Sequence, residues 1–377
     1  MNPNWNYVPF DTLFEWKQKS HIKSGEGQKT GHYKMFVCSD TEIKRFDEYI
    51  ESGESLVFGT GGKASCHFVD DKFAYSTDCV VAQKKKADIY TKFYYYYFRQ
   101  KRTNAIQETF TGSGLQHTSK KKIGAILVPI VDFEEQKCIV VKIEELFSEL
   151  DNSVETLQKT KEQLTVYRQA VLKEAFKNIE KFSPINEMST LVTSGSRGWA
   201  QYYSPQGAKF IRIGNLTRDS INIDLNDIQH VDLPDKAEGL RSKLKPNDVL
   251  ISITADLGSI GLVPQNIGDA YINQHIAVVR FKNPNQGKFM AWFLRSEQGQ
   301  KDLLKNKRGA GKPGLGLDDI RSSNVPVVSD ADADAIISFI ESHLSVCDSI
   351  EKTVDTALQQ AEALRQSILK KAFEGEL

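Results

Sequence analysis

Cysteine is scarce in this chain of 377 residues: Cys38, Cys66, Cys79, Cys138 and Cys347 form an odd set with no C-x-x-C pair. That excludes a disulfide framework or a zinc ribbon and predicts buried, reduced thiols. The chain has no Pro-Pro, so it lacks the Asn/Asp-Pro-Pro-aromatic loop with which an amino-methyltransferase grips its target amine. No apolar run approaches the roughly 18 residues needed to cross a membrane, and the stretch MNPNWNYVPFDTLFEW has no basic start followed by an apolar core. A soluble, cytoplasmic protein without membrane contact is expected. Around Gly62-Lys63 a phosphate-binding loop would need glycine at Val57 and Ser or Thr at Ala64. Pro234-Asp235 and Glu238 lack the lysine of a nuclease motif, since Leu240 stands there. The seven histidines show no metal-binding spacing. No catalytic residues, no metal and no cofactor are expected.

Net charge is also missing, with 49 basic and 49 acidic residues, but the balance conceals segregation. Residues 1–143 hold 21 basic and 17 acidic groups, and residues 181–329 hold 19 and 14. The compensating acid lies in residues 144–180, with 5 basic and 8 acidic groups, and in 330–377, with 4 and 10. Lysine and arginine cluster at Lys84 to Lys86, at Arg99 with Lys101 and Arg102, at Lys120 to Lys122, and at Lys305, Lys307, Arg308 and Lys312. Such loops suit phosphate contacts.

What the chain does have is a duplication. Arg168 to Phe176 reads RQAVLKEAF and Arg365 to Phe373 reads RQSILKKAF, with six of nine positions identical at an offset of 197. The same offset pairs Glu144 with Glu341, Asp151 with Asp348 and Gln163 with Gln360. Further back it pairs Gly112 and Gly114 with Gly309 and Gly311, and Val128-Pro129 with Val325-Pro326. Each copy is therefore a divergent module followed by a periodic segment.

Leu150, Val154, Leu157, Leu164, Val171 and Ala175 recur at spacings of three, four or seven, with no Pro or Gly from Glu144 to Ile179. The second copy shows Ile340, Leu344, Cys347, Val354, Ala361, Leu364, Ile368 and Ala372. Each pattern predicts a long helix with one apolar stripe, and two matching stripes predict a helix pair. Polar residues beside the stripe, Lys161, Arg168 and Gln169, are suited to fixing register. The modules read as mixed structure, with strand-like runs at residues 55–58, 124–131, 248–253 and 276–281. KFYYYYFRQK from Lys92 and KFMAWFLRSEQ from Lys288 predict one buried aromatic helix in each module.

Helices ending in RQAVLKEAF and LRQSILKKAFEGEL, each preceded by a module ending in a G-x-G loop and a V-P-[IV] strand, resemble specificity subunits of type I restriction-modification enzymes. The resemblance covers essentially the whole chain. It implies an α+β fold of two mixed α/β target recognition domains, residues 1–143 and 181–329. These would be joined by two long antiparallel spacer helices, residues 144–180 and 330–377, in a pseudo-twofold, circularly repeated arrangement. It further implies a non-catalytic subunit that reads a bipartite site in double-stranded DNA, one domain per half-site, and docks two methyltransferase subunits and, through them, motor-nuclease subunits. Members often carry a proline-containing stretch ending in Glu-Gln after V-P-[IV]. The first copy has Glu135-Gln136, whereas the second reads VSDADADAII, which leaves the start of its helix open.

Side chains suited to base edges and phosphates mark candidate DNA contacts. In the first module these are Ser39, Thr60, Lys63, Arg99, Arg102, Ser113, Gln116 and His117. In the second they are Arg197, Asn215, Thr217, Arg218, Thr254, Asn273, Gln274, Arg308 and Lys312, although Asn215 and Asn273 also suit turn capping. Arg168, Gln169, Arg365 and Gln366 are expected at the methyltransferase contact or in helix pairing. The alternatives are a specificity-type or scaffold protein acting without a nuclease and using the helix pair to dimerise, and an RNA binder that stacks bases on exposed rings of FYYYYF.

Overall fold

The computed structural model describes residues 2, 4–100, 105–234, 240–305, 307–309 and 313–377. The chain divides into two compact units, the first built from two parts distant in sequence and the second from one continuous stretch. Unit 1 comprises Met1–Gln158 with Asp355–Leu377, and unit 2 comprises Lys159–Val354. A first long helix, Phe133–Phe176, and a second, Asp330–Glu374, each pass from one unit into the other.

The first helix begins at Phe133 rather than at Glu144. Asp132 supplies the start: its carboxylate accepts from the Glu134 N–H at 3.1 Å and its carbonyl from the Gln136 N–H at 2.8 Å. The second helix starts differently. Ser329 accepts from the Asp332 N–H at 3.2 Å and donates its hydroxyl to the Asp332 carboxylate at 2.6 Å, a reciprocal cap that replaces the missing Glu-Gln stretch. Gln136 and Gln286 complete the comparison. The Gln136 amide donates to the Val131 carbonyl at 2.8 Å, and the Gln286 amide donates to the repeat-equivalent Val328 carbonyl at 3.2 Å. One glutamine comes from the long helix and the other from the 3-10 turn Pro284–Gln286 just before the aromatic helix.

Unit 1 is one six-stranded sheet in the spatial order Phe14–Trp16, Cys79–Lys84, Glu51–Gly59, Cys66–Tyr75, Tyr33–Phe36, Ile43–Phe46. Neighbours are antiparallel except Tyr33–Phe36 and Cys66–Tyr75, which are parallel. A separate pair joins Asn6–Pro9 to Leu127–Ile130, with Val8 opposite Val128. The helix Thr91–Arg99 buries Phe93, Tyr94, Tyr97 and Phe98 against the sheet strands, so the aromatic run is core and not a stacking platform. Val140 and Ile143 of the first long helix share this core with Ile368, Leu369, Ala372 and Phe373 of the second, so the two helices run antiparallel here.

Unit 2 has two four-stranded sheets. One runs Ser189–Ser194, Ile276–Phe281, Val249–Ser252, Ile260–Leu262; the other runs Tyr203–Ser204, Gln229–Val231, Ala208–Ile211, Ala270–Ile272. Phe182–Pro184 pairs with Asn324–Pro326 as Asn6–Pro9 pairs with Leu127–Ile130, and a short helix follows Pro184 as one follows Pro9. The helix Gly287–Arg295 buries Phe289, Met290, Trp292 and Phe293 in a core shared with Val171, Leu172 and Phe176 of the first long helix and Ile337, Ile340 and Leu344 of the second. The helices are antiparallel here too.

The repeated nonapeptide thus has a packing role. Phe373 meets Trp5, Phe93 and Tyr97 at ring-centroid distances of 6.4, 5.1 and 5.5 Å. Phe176 meets Phe289 and Phe293 at 5.7 and 5.4 Å. Leu364 does not belong to the stripe: it is 50% exposed, because the seam passes from Ala361 to Ile368 by the 4-3 spacing through Arg365.

Candidate nucleic-acid interface

In unit 1 three loops converge at one end of the sheet. Residues 111–117 form a hairpin closed by reciprocal Thr111 and His117 backbone bonds of 2.9 and 3.0 Å. The Gly62 N–H donates to the Gln116 carbonyl at 3.0 Å and the Thr118 N–H to the Thr60 carbonyl at 2.9 Å, tying this hairpin to residues 60–63. Residues 38–40 join from the third side, where the Ser39 carbonyl lies 2.7 Å from His67 Nε2 and the Cys38 thiol 2.6 Å from the Gly61 carbonyl. Burial pushes that thiol up from its ordinary value.

This cluster holds Ser39, Thr60, Lys63, Ser113, Gln116 and His117, of which Lys63, Ser113, Gln116 and His117 are exposed. Ser39 and Thr60 are partly committed: the Ser39 hydroxyl caps the Glu42 N–H at 3.0 Å, and the Thr60 hydroxyl donates to the Asp78 carbonyl at 2.8 Å. Arg99 is half-buried and paired with Asp40 on the Ser39 loop, so it steadies the cluster from the aromatic helix. Arg102 lies outside the described residues.

The lysine runs are mostly tied into the fold. Lys84 pairs with Glu54 at 2.6 Å, Lys85 donates to the Asp11 carbonyl, and Lys122 donates to the Thr111 hydroxyl at 2.6 Å. Lys120 donates to the Lys17 carbonyl, and burial, then the charge of Lys19, lowers its pKa.

Unit 2 builds a corresponding cluster. Residues 308–314 are closed by Arg308 and Gly314 backbone bonds of 3.0 and 2.8 Å, the 197-residue counterparts of Thr111 and His117, and Gly314 bridges to Thr254 as His117 bridges to Gly61. The loop around Arg197 joins through a Ser196–Asn273 bridge. Gly195 makes this approach possible, since a Cβ there would fall 1.9 Å from the Ile272 carbonyl oxygen.

Arg197, Thr254, Asn273, Gln274 and Arg308 are brought together here. Arg197 is exposed, and Arg308 is 80% exposed with one guanidinium contact to Asp319 at 3.3 Å. Thr217 and Arg218 flank the cluster, joined to it by the Arg218–Asp256 pair and by an Arg218 bond to the Leu257 carbonyl at 2.8 Å. That guanidinium, ahead of the Ser259 hydroxyl, holds the Asp256 carboxyl below the usual carboxylate range. Lys312 lies outside the described residues.

Asn215 is a correction. It is buried, accepts from the Arg212 N–H at 2.8 Å and donates to the Asp224 and Asp227 carbonyls at 2.9 and 3.2 Å, so its amide is spent on the fold. Asn273 is nearly as buried, and its side-chain oxygen accepts from the His275 N–H at 3.1 Å. Sequence reasoning passed over His275, which touches both Thr254 and Gln274. The repeat gave a usable signal, because His275 stands directly before a strand that matches Cys79–Lys84 at the offset of 197.

On the helices, Arg168 pairs with Asp348 at 2.7 Å and Glu351 at 2.8 Å, both within unit 2. Arg365 pairs with Asp151 and lies over the Phe147 ring at 4.9 Å, both within unit 1. Asp151 and Asp348 are repeat-equivalent, so the same arginine–aspartate pair is made twice. Gln169 is exposed and Gln366 half-buried. No group of metal-ligating side chains occurs among the described residues.

Two loop clusters at repeat-equivalent places, joined to a twice-made helix seam, define a protein of paired recognition modules. The family model for the type I restriction modification DNA specificity domain matches residues 2–166 and again 178–360, so the chain belongs to that family. Its role is DNA recognition in a type I restriction-modification system, without catalysis of its own. It is 26% identical over 355 residues to the type I restriction enzyme EcoBI specificity subunit of Escherichia coli, covering 86% of this chain and 74% of that one. The EcoKI specificity subunit of E. coli K12 is 26% identical over 297 residues, 73% of this chain and 62% of that one.

Among solved structures, a chain from work on complex assembly and conformational transition of the type I R-M system aligns with a TM-score of 0.77 at 16% identity, over 100% of this chain and 99% of that one. The HsdS subunit from Thermoanaerobacter tengcongensis aligns at 0.53 with 16% identity, over 100% and 98%. Both likenesses show the fold. The relatives favour neither a free scaffold nor an RNA binder. No described helix is long and apolar enough to cross a membrane.

Proposed function

We propose that the chain reads a bipartite site in double-stranded DNA, the loop cluster of unit 1 contacting one half-site and that of unit 2 the other. Lys63, Ser113, Gln116 and His117 serve the first, with Arg99 and Arg102 as candidate phosphate contacts by residue type, and Arg197, Thr254, Gln274, Arg308 and Lys312 serve the second. In this reading residues 1–143 and 181–329 are the recognition domains, and residues 144–180 and 330–377 are the spacers. Arg168 and Arg365 hold the spacers in register, and Gln169 and Gln366 lie on the side that receives two methyltransferase subunits, through which motor-nuclease subunits join in the cytoplasm.

The observation that supports this most directly is one loop framework built twice with different side chains, since the Thr111–His117 and Arg308–Gly314 bridges correspond at the 197-residue offset while the sequences they enclose share few residues. Two different readers on one frame suit two different half-sites. The excess of basic over acidic residues in both modules supplies the phosphate attraction. Selection of bound duplexes from a random library by the complex with its methyltransferase should enrich two short blocks separated by an unread gap. A single continuous block, or no enrichment, would refute the reading.

A further inference from the structure

The two loop clusters differ at one repeat-equivalent position. In unit 1 the residue before strand Cys79–Lys84 is Asp78, whose backbone carbonyl accepts from both the N–H and the hydroxyl of Thr60, each at 2.8 Å. In unit 2 the residue before strand Ile276–Phe281 is His275, 197 positions further on. Here Thr254, which bridges to Gly314 as Gly61 beside Thr60 bridges to His117, meets a side chain instead: its hydroxyl lies 2.6 Å from His275 Nδ1. On the other side of the ring, the Gln274 amide nitrogen lies 2.9 Å from His275 Nε2. The backbone around the ring is fixed, because the His275 N–H donates to Asn273 Oδ1 at 3.1 Å and its carbonyl accepts from the Ile253 N–H at 2.9 Å.

With the Gln274 amide nitrogen facing the ring, that nitrogen donates and does not accept, so in this arrangement ring Nε2 is the acceptor and the single imidazole proton sits on Nδ1. Nδ1–H then donates to the Thr254 oxygen, which leaves the threonine O–H to donate elsewhere. Gln274, with one amide N–H given to the ring, has its carbonyl oxygen turned away from the ring as an acceptor. One proton on one ring therefore sets the polarity of two neighbouring side chains.

We propose that His275 is a positioning residue that determines specificity in the second half-site, making Gln274 present an acceptor and Thr254 a donor. This inference rests on the reading that the unit 2 loops meet DNA. An acceptor beside a donor matches an exocyclic amine next to an acceptor in the major groove: adenine N6 beside N7, or cytosine N4 beside the O6 of its paired guanine. Unit 1 has no counterpart, because Asp78 fixes Thr60 through its backbone.

The test uses the full chain with its methyltransferase and duplexes in which each base pair of the second half-site is changed in turn. His275→Ala and Gln274→Ala should each lower discrimination roughly tenfold at the same single base pair, leaving the first half-site untouched. His275→Asn, whose amide can replace Nδ1–H toward Thr254 but cannot reach Gln274, should keep more of that discrimination than His275→Ala. Nitrogen-15 spectra of histidine-labelled full chain should show the Nδ1–H tautomer at His275. Equal weakening on every sequence, a changed preference in the first half-site, or an Nε2–H tautomer would overturn the proposal. Failure of the underlying reading looks different, since the unaltered complex would then show no two-part site at all.

Discussion

In unit 1 the last turns of the second long helix bury Ile368, Leu369, Ala372 and Phe373 beneath the helix Thr91–Arg99, and in unit 2 the last turns of the first bury Val171, Leu172 and Phe176 beneath Gly287–Arg295. These junctions match residue for residue. Away from them the units part company, with one six-stranded sheet against two four-stranded ones. The duplication has kept what joins a module to its helices and released what faces away. Differences at the junctions are substitutions within a kept scheme: Gln136 and Gln286 hold equivalent carbonyls from different elements, and Arg168 has Glu351 where Arg365 has the Phe147 ring.

The strongest way to break this comparison is at the buried phenylalanines. Phe373→Ala should destabilise unit 1 and Phe176→Ala unit 2, each by about 3–5 kcal/mol. Hydrogen exchange resolved by peptide should show the loss confined to one unit in each case, and a loss shared by both would deny that the junctions are equivalent. Next in size are the glutamines. Gln136→Ala and Gln286→Ala each remove the amide that bonds a carbonyl at the helix start, which should cost about 1–3 kcal/mol by urea unfolding, and a loss at only one site would mean the substitution is not an equivalent one.

The arginines sharpen the comparison further. Arg168→Ala and Arg365→Ala should each cost about 1 kcal/mol. The Arg168 effect should shrink more in about 1 M salt, because both its partners are carboxylates whereas Arg365 keeps its ring contact. Parallel melting curves at low and high salt decide this.

The smallest effect belongs to Asp256. Its carboxyl is held below its unfolded value, so the Arg218 pair stabilises the 254–259 loop above the ordinary carboxylate range and is lost as pH falls through the lowered folded value. Protection of that loop, taken relative to the intrinsic exchange rate at each pH, should fall at acid pH in the native chain and stay level in Asp256→Asn.

The helices, their pairing and the buried aromatic runs were legible because 3.6-residue periodicity and composition report burial directly. The repeat was legible wherever a residue packs on the helices. Its continuation at Pro9 and Pro184 was hidden, because modules of different length shift the offset there from 197 to 175. The start at Phe133 was missed since Val140 and Ile143 face the module core and not the seam followed downstream. Asn215 misled because an amide that caps a turn and one that reads a base look alike in sequence. His275 was passed over because no motif marks it: only its place before a repeat-equivalent strand pointed to it, and its importance lies in two contacts at 2.6 and 2.9 Å.

The central claim is that two independent readers share one frame. It is tested most directly by exchanging residues 1–143 for the corresponding module of a relative and sequencing the methylated sites in cells that carry the hybrid with its methyltransferase. The account predicts that one half of the methylated sequence changes while the other half and the gap stay as they were. A change in both halves, or in the gap alone, would contradict it.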